Sequence, residues 1–562
     1  MLRRSPALYD GAFIGVVVTL SLLWYLPGLG FYSDDWAFLG MYATSADQTV
    51  RGFYDASHSP QHAMRPVQLW LCAALYGLFG LDPLGYHLVN AVFVVLNPLL
   101  VYAIGRELRL SRVVALPVAL VYGLLPNYSS DRFWFVAFAI TLSMTAALAS
   151  IYADLRGWRA RRAAGALIWK GIALAGLCVS VLAYEVPLPL LLCAAPASLA
   201  WQLWHGRTSL TRRRILQAAA FAAVNIVAIA GLVLFKLQTT VRLGAEQGLA
   251  AQVSAIVRHA VRFDLPRGEY GLNAFNAVRV HFVEYGAQLP VNAIALVRTA
   301  PAGLQALTLA AAVAILLYLA VVLRSEPWPG RRAWLLAAAA GVVVFALGYA
   351  IFLTNYNVQF TTTGIANRSA IAAALGAAMC LVGGVGLLVA LLPTTRTRSL
   401  VFALGIAAIG SSGFAIVNVL AERWVKAYRI ERDTLENIRT RFAALPPQST
   451  LLLDGVCPYV GPAIVFEADW DFTGALQVYY RTRSAAANVV TPRMTAEDEG
   501  IAASIYGQPK RYPYSPSLFA YHAGSGTVQP LPDRETARAW LARSLAGANC
   551  PPGHEGLGVE PF

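Results

Sequence analysis

Val67-Gln-Leu-Trp-Leu-Cys-Ala-Ala-Leu-Tyr-Gly-Leu-Phe-Gly-Leu81 is an apolar run of 15 residues. A helix crossing a bilayer takes about 20 such residues, so this run falls short where others do not. The chain of 562 residues is 57% hydrophobic and 13% charged, with a mean hydropathy of +0.55. A soluble domain carries about 25% charged residues, roughly twice this share. Six cysteines in 562 residues are too sparse for a small disulfide scaffold. The composition therefore excludes an ordinary cytosolic globule, a disordered chain and a coiled coil, and leaves a polytopic membrane protein.

Charge decides what the 67–81 run does. A first span begins near Ala12, and further apolar runs lie near 87–105, 113–126, 135–153, 166–183, 186–204, 215–236, 303–323, 333–353, 366–392 and 399–420. If 67–81 does not cross and the N-terminus is cytoplasmic, 19 basic residues face the cytoplasm, including Arg106, Arg156, Arg207, Arg331 and Arg396. The short outer loops then hold only Arg132 and Arg368. Crossing at 67–81 would turn 17 of those basic residues outward, against the positive-inside rule. Eleven spans are expected, with 67–81 a helix lying at the outer face.

The formal charge of +14 does not point to nucleic acid. Residues 1–420 hold 30 basic and 15 acidic residues, and residues 421–562 hold 14 and 15. The excess belongs to the membrane half, where basic loops set topology. Only four of the 44 basic residues are lysine, which with the abundant alanine suggests a GC-rich bacterial genome. The expected location is the bacterial inner (plasma) membrane, multi-pass, with the N-terminus cytoplasmic.

Two domains are expected: a membrane module over 1–420 with outer loops 31–86 and 237–302, and an outward-facing tail over 421–562. The tail reads as a small α/β domain. An amphipathic helix from Trp424 to Leu445 ends at Pro446-Pro447, strands begin near Ser449, Asn488 and Leu518, and Asp533 caps a final helix. Cys72, Cys178, Cys193 and Cys380 sit in apolar helices as packing residues. Cys457 and Cys550 stand apart in the tail, where an oxidising periplasm would let them pair. No Walker A, Rossmann fingerprint or paired-cysteine zinc spacing is present.

The segment Phe31-Tyr-Ser-Asp-Asp-Trp-Ala-Phe-Leu39 comes directly after the first span. Adjacent carboxylates at an apolar boundary repel, and desolvation raises the pKa of at least one, as a general base requires. The plainer reading is a helix start, with Ser33 or Asp34 as the N-cap of a helix over Asp35-Trp-Ala-Phe-Leu39. The same loop continues as Ser57-His-Ser-Pro-Gln-His-Ala-Met-Arg-Pro66 and then Phe79-Gly-Leu-Asp-Pro-Leu-Gly-Tyr-His87. This ordered set resembles the GT-C glycosyltransferases, membrane enzymes that use polyprenyl-phosphate sugars, over roughly residues 10–240. The resemblance lies with the protein mannosyltransferase and aminoarabinose transferase branch. It implies a mostly α fold of about eleven transmembrane helices, and transfer from a polyprenyl-phosphate-linked sugar to a glycan, lipid or protein hydroxyl at the outer leaflet.

The resemblance implies site residues by position. Asp34, first of the acidic pair, would be the base, with Asp35 supporting it. Asp131, in Asn127-Tyr-Ser-Ser-Asp-Arg-Phe-Trp134, matches an acidic loop position of the family, although pairing with Arg132 in a solvated loop is the favoured reading. Glu185, in Ala183-Tyr-Glu-Val-Pro-Leu-Pro189, lies at a corner where relatives place a basic residue beside the lipid phosphate; Tyr184 stands there instead. Glu185 would then contact sugar hydroxyls or orient an arginine. Cations for the phosphate are Arg65, Arg368 and Arg258, with Arg242 and Arg262 behind them, since a guanidinium fork matches phosphate oxygens. His58 and His62 would touch the acceptor; Pro60 between them argues against a zinc pair. His87 and His281 read as core or interfacial histidines. No cofactor is certain, and a divalent cation (Mg, Mn or Ca) would have only Asp34 and Asp35 in view. The 237–302 loop carries amphipathic stretches at 249–263 and 274–282, which the resemblance makes a lid. Glu467, Asp469 and Asp471 around Trp470 read as a solvated acidic strip.

Two readings compete. A lipid-carrier or glycan transporter would need polar groups deep in its spans, whereas Asn97, Asn225 and Asn418 look isolated. A non-catalytic glycan-sensing protein would tolerate loss of Asp34.

Overall fold

A computed structural model describes residues 6–59, 62–204, 212–242, 267–354, 358–505, 508–547 and 550. The chain is mostly α-helical, a bundle of apolar helices with a small C-terminal sheet domain. The helices are α1 (Pro6–Leu23), α2 (Asp34–Ala43), α3 (Val50–Ser57), α4 (Pro66–Phe79), α5 (Pro83–Glu107), α6 (Arg112–Leu124), α7 (Ser130–Phe133), α8 (Phe138–Arg159), α9 (Ala163–Ala183), α10 (Leu188–Trp204) and α11 (Arg212–Arg242). They continue with α12 (Arg267–Val278), α13 (Leu289–Val297), α14 (Ala302–Ser325), α15 (Arg331–Ala350), α16 (Ile371–Val389) and α17 (Thr395–Arg441). The last two are α18 (Asp469–Tyr480) and α19 (Arg534–Gly547).

Among the described residues nine helices are long and apolar enough to cross a membrane, rather than eleven. The runs at 113–126 and 186–204 form the two shorter helices α6, of 13 residues, and α10, of 17. Every residue of α6 from Val113 to Leu124 is buried by protein, so neither end has to reach a lipid headgroup. Arg132 serves the end of α6 by donating to the Gly123 carbonyl at 2.8 Å. The 67–81 run falls on α4, a helix of 14 residues, below the length a span requires.

One buried polar group overturns the reading of Asn225 as isolated. Lys170 on α9 donates to Asp154 on α8 at 3.0 Å and to Asn225 on α11 at 2.5 Å, and Asn225 donates back to Asp154 at 2.6 Å. The three bond to one another, as a lock between three helices does.

The tail is built on a sheet of β1 (Thr450–Asp454), β4 (Ala486–Val489), β8 (Leu518–His522) and β9 (Thr527–Pro530) in the order β4-β1-β8-β9. β1 runs parallel to both neighbours, and β9 closes one edge antiparallel. Shorter strands β2 (Tyr459–Val460), β3 (Ala463–Ile464), β5 (Thr495–Glu497), β6 (Gly500–Ile505) and β7 (Gln508–Tyr512) form two small antiparallel sheets. Leu451, Leu452 and Leu453 are all buried, because a strand flanked on both faces is apolar throughout rather than alternating. Cys457 and Cys550 are joined by a disulfide with 5.5 Å between their Cα atoms.

Helix α17 has 47 residues, about 70 Å at 1.5 Å per residue, against a hydrocarbon layer of about 30 Å. Its far end therefore stands clear of the bilayer and carries the tail. α2 packs between them. Ser33 donates to Glu467 at 2.8 Å, Tyr32 donates to the Trp424 carbonyl at 2.9 Å, and Trp36 donates to Glu431 at 3.4 Å. The α2–α18 contact is backbone against backbone: a Cβ on Gly474 would lie 2.2 Å from the Trp36 carbonyl oxygen. Gly474→Ala is thus expected to separate tail from membrane module at a cost of about 1–3 kcal/mol. A lowered thermal midpoint and new protease sensitivity near 442–450 would register it; an unchanged midpoint would refute the close contact.

Candidate active site

The segment that follows α1 is shaped by two carboxylates with different surroundings. Asp35 is fully buried and accepts three backbone N–H groups, from Tyr32 at 2.9 Å, Val136 at 2.9 Å and Phe135 at 3.3 Å. Both its oxygens are used in clamping the 31–35 turn to the 135–136 loop. Burial, first of all, pushes its pKa well up, while those N–H groups pull it down. Ser33 occupies the position before α2 but its hydroxyl goes to Glu467, so the capping reading of the acidic pair does not hold. Its φ of +47° is a strained backbone for a residue with a side chain, and it turns Asp34 out of the clamp.

Asp34 faces a cavity of about 600 Å³. Helix α2 supplies one wall with Ala37, Phe38 and Met41, His62 stands beside them, and Trp470, Asn488 and Lys510 of the tail form the other. Burial raises the Asp34 pKa, opposed by the charge of Arg368 and by a hydrogen bond from Trp470. Arg368 itself donates to the Ile365 carbonyl at 2.8 Å, with its guanidinium 4.8 Å above the ring of Trp134.

Asp131 also senses Arg368. It is fully buried, and neither carboxylate oxygen has a hydrogen-bond partner among the described residues. Burial drives its pKa well up against Arg368 and Arg132. The expected solvated pairing with Arg132 is corrected: Arg132 turns to backbone carbonyls and lies 5.2 Å from the Tyr128 ring. A desolvated carboxylate with no partner is costly, and such groups concentrate where ligands bind.

The second cluster gathers around Glu185 at the corner between α9 and α10. Arg65, at the start of α4, reaches it with Nη2 at 3.0 Å and Nε at 3.1 Å, and Lys236 of α11 reaches it at 2.6 Å. The Arg65 guanidinium lies 3.9 Å over the ring of Tyr184. Burial alone would raise the Glu185 pKa, but Arg65 and Lys236 carry it down to about 2. Glu185 thus aligns two cations. The corner lacks a basic residue at 184, and Lys236 brings one from 52 positions further along the chain. His62 joins the clusters: it lines the Asp34 cavity, accepts or donates at Ser59 Oγ over 2.8 Å, and has its pKa lowered by burial and by Arg65.

Several expectations change. His58 is exposed, its ring tilted at 50° to that of Tyr54 with centroids 5.5 Å apart, and does not line the Asp34 cavity. The strip around Trp470 is not solvated: Glu467 and Asp471 are buried, Asp471 accepting the N–H groups of Glu467 and Ala468, while Asp469 and Trp470 line the cavity. His281, by contrast, is buried as expected of a core histidine, its Nε2 2.6 Å from the Tyr349 hydroxyl. Arg258, Arg262 and the 249–263 stretch lie outside the described residues. As for a divalent cation, the Asp35 oxygens are already occupied, and no group of three or more His, Cys, Asp or Glu among the described residues forms a ligand set. Among the described residues, those around Asp34 and Asp35 do not fit a metal site.

No protein-family model matches the sequence, and no curated protein matches it. Among solved structures the chain is similar to the Archaeoglobus fulgidus oligosaccharyltransferase tethered to an acceptor peptide, at 15% identity and a TM-score of 0.38 over 85% of this chain. It spans 64% of that protein's length. It is also similar to ArnT from Cupriavidus metallidurans, at 17% identity and a TM-score of 0.30 in the apo state, covering 83% of this chain and 87% of that one. For ArnT bound to undecaprenyl phosphate the values are 15% and 0.33, over 86% and 90%.

Proposed function

We propose that the chain is an integral membrane glycosyltransferase that moves a sugar from a polyprenyl-phosphate donor to an acceptor hydroxyl at the outer leaflet. The observation that carries this reading is a desolvated carboxylate facing a cavity that His62 also lines, with His62 in turn within reach of the charge of Arg65, one of two cations aligned by Glu185. Arg65 and Lys236 hold the lipid phosphate, and Arg368 offsets charge beside Asp34. Asp34 takes the proton of the acceptor hydroxyl as its oxygen bonds to the anomeric carbon. The bond from that carbon to the phosphate oxygen breaks, the lipid phosphate leaves with the electron pair, and the configuration inverts. Phosphate is already a good leaving group, so cationic stabilisation does more than a general acid would. Asp35 holds the turn that aims Asp34, Asp131 shares with Asp34 the charge of Arg368, and membrane lipid surrounds the donor's tail. The N-terminus is cytoplasmic and the tail lies outside, where its disulfide is stable.

The test is a deletion strain complemented with wild type or Asp34→Asn at matched membrane levels, with surface glycans and polyprenyl-phosphate sugars measured by mass spectrometry. Loss of one sugar with build-up of its lipid-linked donor, restored only by wild type, is the expected outcome. Full rescue by Asp34→Asn removes Asp34 as the base, and an unchanged donor pool in the deletion strain refutes transfer.

The pH profile supplies a second check. Asp34 works as a base only when ionised, and burial raises its pKa above the usual carboxylate value near 3.9. kcat/KM should therefore rise with pH through that elevated pKa. Arg368 holds it down, so Arg368→Gln should move the acid limb to higher pH. An acid limb that stays in place would separate Arg368 from Asp34.

A further inference from the structure

A second cavity, of about 1000 Å³, lies in the tail and plays no part in the transfer reading. Its position is set by the sheet. β1 is flanked by β4 on one side and β8 on the other, both parallel to it, so the chain leaves the sheet centre in opposite directions. In open parallel sheets, that arrangement opens a crevice beyond the carboxyl ends of the strands, where ligands bind. Asp454 is the last residue of β1, His522 the last of β8, and Val490 comes just after β4; all three line the cavity. The Cys457–Cys550 disulfide forms part of the wall, tying the loop after β1 to the segment after α19.

The lining chemistry selects a ligand class. Asp454 accepts from Ser544 at 2.5 Å and from the Gly455 N–H at 2.7 Å. Arg543 donates to Gln529 at 3.1 Å. The Nδ1 of His522 accepts the Ser525 N–H at 3.2 Å, which leaves Nε2 to carry the proton of the neutral ring. That ring rests on Gly455, whose φ of +77° and missing Cβ allow the approach: a Cβ there would be 2.9 Å from His522 Nε2. Carboxylate, amide, guanidinium and imidazole are thus mixed with the apolar faces of Val490, Val528 and Trp540. An anionic phosphate would meet Asp454 at the strand end and finds no glycine-rich helix start. Sugar rings, with hydroxyls at their edges that both donate and accept and with apolar faces, match the mixture. The volume is at the upper end of ordinary small-ligand pockets, enough for more than one ring.

We propose that this crevice binds an oligosaccharide, at a site separate from the one where transfer takes place. The segment 488–494 stands between the two: Asn488, Thr491 and Met494 line the Asp34 cavity, while Val490 and Pro492 line this one. The binding assignment rests on the crevice alone and stands whether or not Asp34 is a base.

Full-length protein purified in detergent would be titrated with maltotriose, cellotriose and an arabinose trisaccharide, and with inorganic phosphate and AMP, by saturation-transfer NMR. At least one trisaccharide is expected to bind, with affinity lowered tenfold or more by Asp454→Asn and by Gln529→Ala and unchanged by Asp34→Asn. Thermal midpoints of the variants, read alongside, separate lost contacts from lost folding. Absence of binding by every trisaccharide up to about 10 mM, a Kd corresponding to roughly 3 kcal/mol, overturns the proposal. So does binding that survives both crevice variants, binding abolished by Asp34→Asn, or displacement of the sugar by phosphate or AMP.

Discussion

Asp34→Asn is expected to slow sugar transfer by about 10²–10⁴-fold, the usual contribution of a positioned general base, while leaving the thermal midpoint in place. Asparagine keeps the shape of the side chain and its contact with Trp470, so folding and donor binding persist. Asp35→Asn should give the opposite pattern. Its carboxylate accepts three backbone N–H groups, and an amide can turn only one acceptor oxygen toward them. Each buried donor left without a partner costs about 1–3 kcal/mol, so Asp35→Asn should unfold or loosen the turn and lose activity through structure. Single-turnover rates with a polyprenyl-phosphate sugar, read beside melting curves, distinguish the two. A midpoint that falls for Asp34→Asn and not for Asp35→Asn would reverse the assignment.

Removal of the paired cations should act on the donor. Arg65→Ala or Lys236→Met should each raise the donor KM by about 10–100-fold, the equivalent of one charge-assisted hydrogen bond to phosphate. The double variant should bind donor too weakly to saturate. Glu185→Gln keeps the shape yet leaves Arg65 and Lys236 facing each other without the charge between them. Their alignment should be lost, and the variant should resemble the single cation deletions although no phosphate ligand has been removed. A donor KM unchanged in Lys236→Met would exclude that lysine from the phosphate site.

Some of this was legible from residue order. The acidic pair, the short run at 67–81, the loop charges and the glutamate at an apolar corner are local patterns, and each marks a place where burial and charge conflict. The place of Lys236 beside Glu185 is not legible in the sequence, because a lone lysine inside an apolar run looks like a snorkelling side chain. A weak signal exists: a basic residue near the end of an apolar span in a chain with only four lysines. The roles of Trp470 and Asn488 were out of reach, since their relation to Asp34 depends on how a distant domain folds back. Asp131 was misread because its neighbour Arg132 offers an obvious partner in sequence that the turn at 126–133 points elsewhere. Two of the eleven expected spans are shorter helices, and for one of them, α6, protein rather than lipid surrounds it; hydropathy does not distinguish those two solvents.

The bond between Ser33 and Glu467 joins residues 434 positions apart. At about 5–20 residues per second, a ribosome needs roughly 20 to 90 s to make the chain between them. Throughout that interval the acidic turn has emerged but the wall that completes its cavity has not been synthesised. The cavity around Asp34 is therefore complete only after the last quarter of the chain has been made and docked. Premature termination anywhere before the tail would leave an inserted protein with Asp34 uncovered.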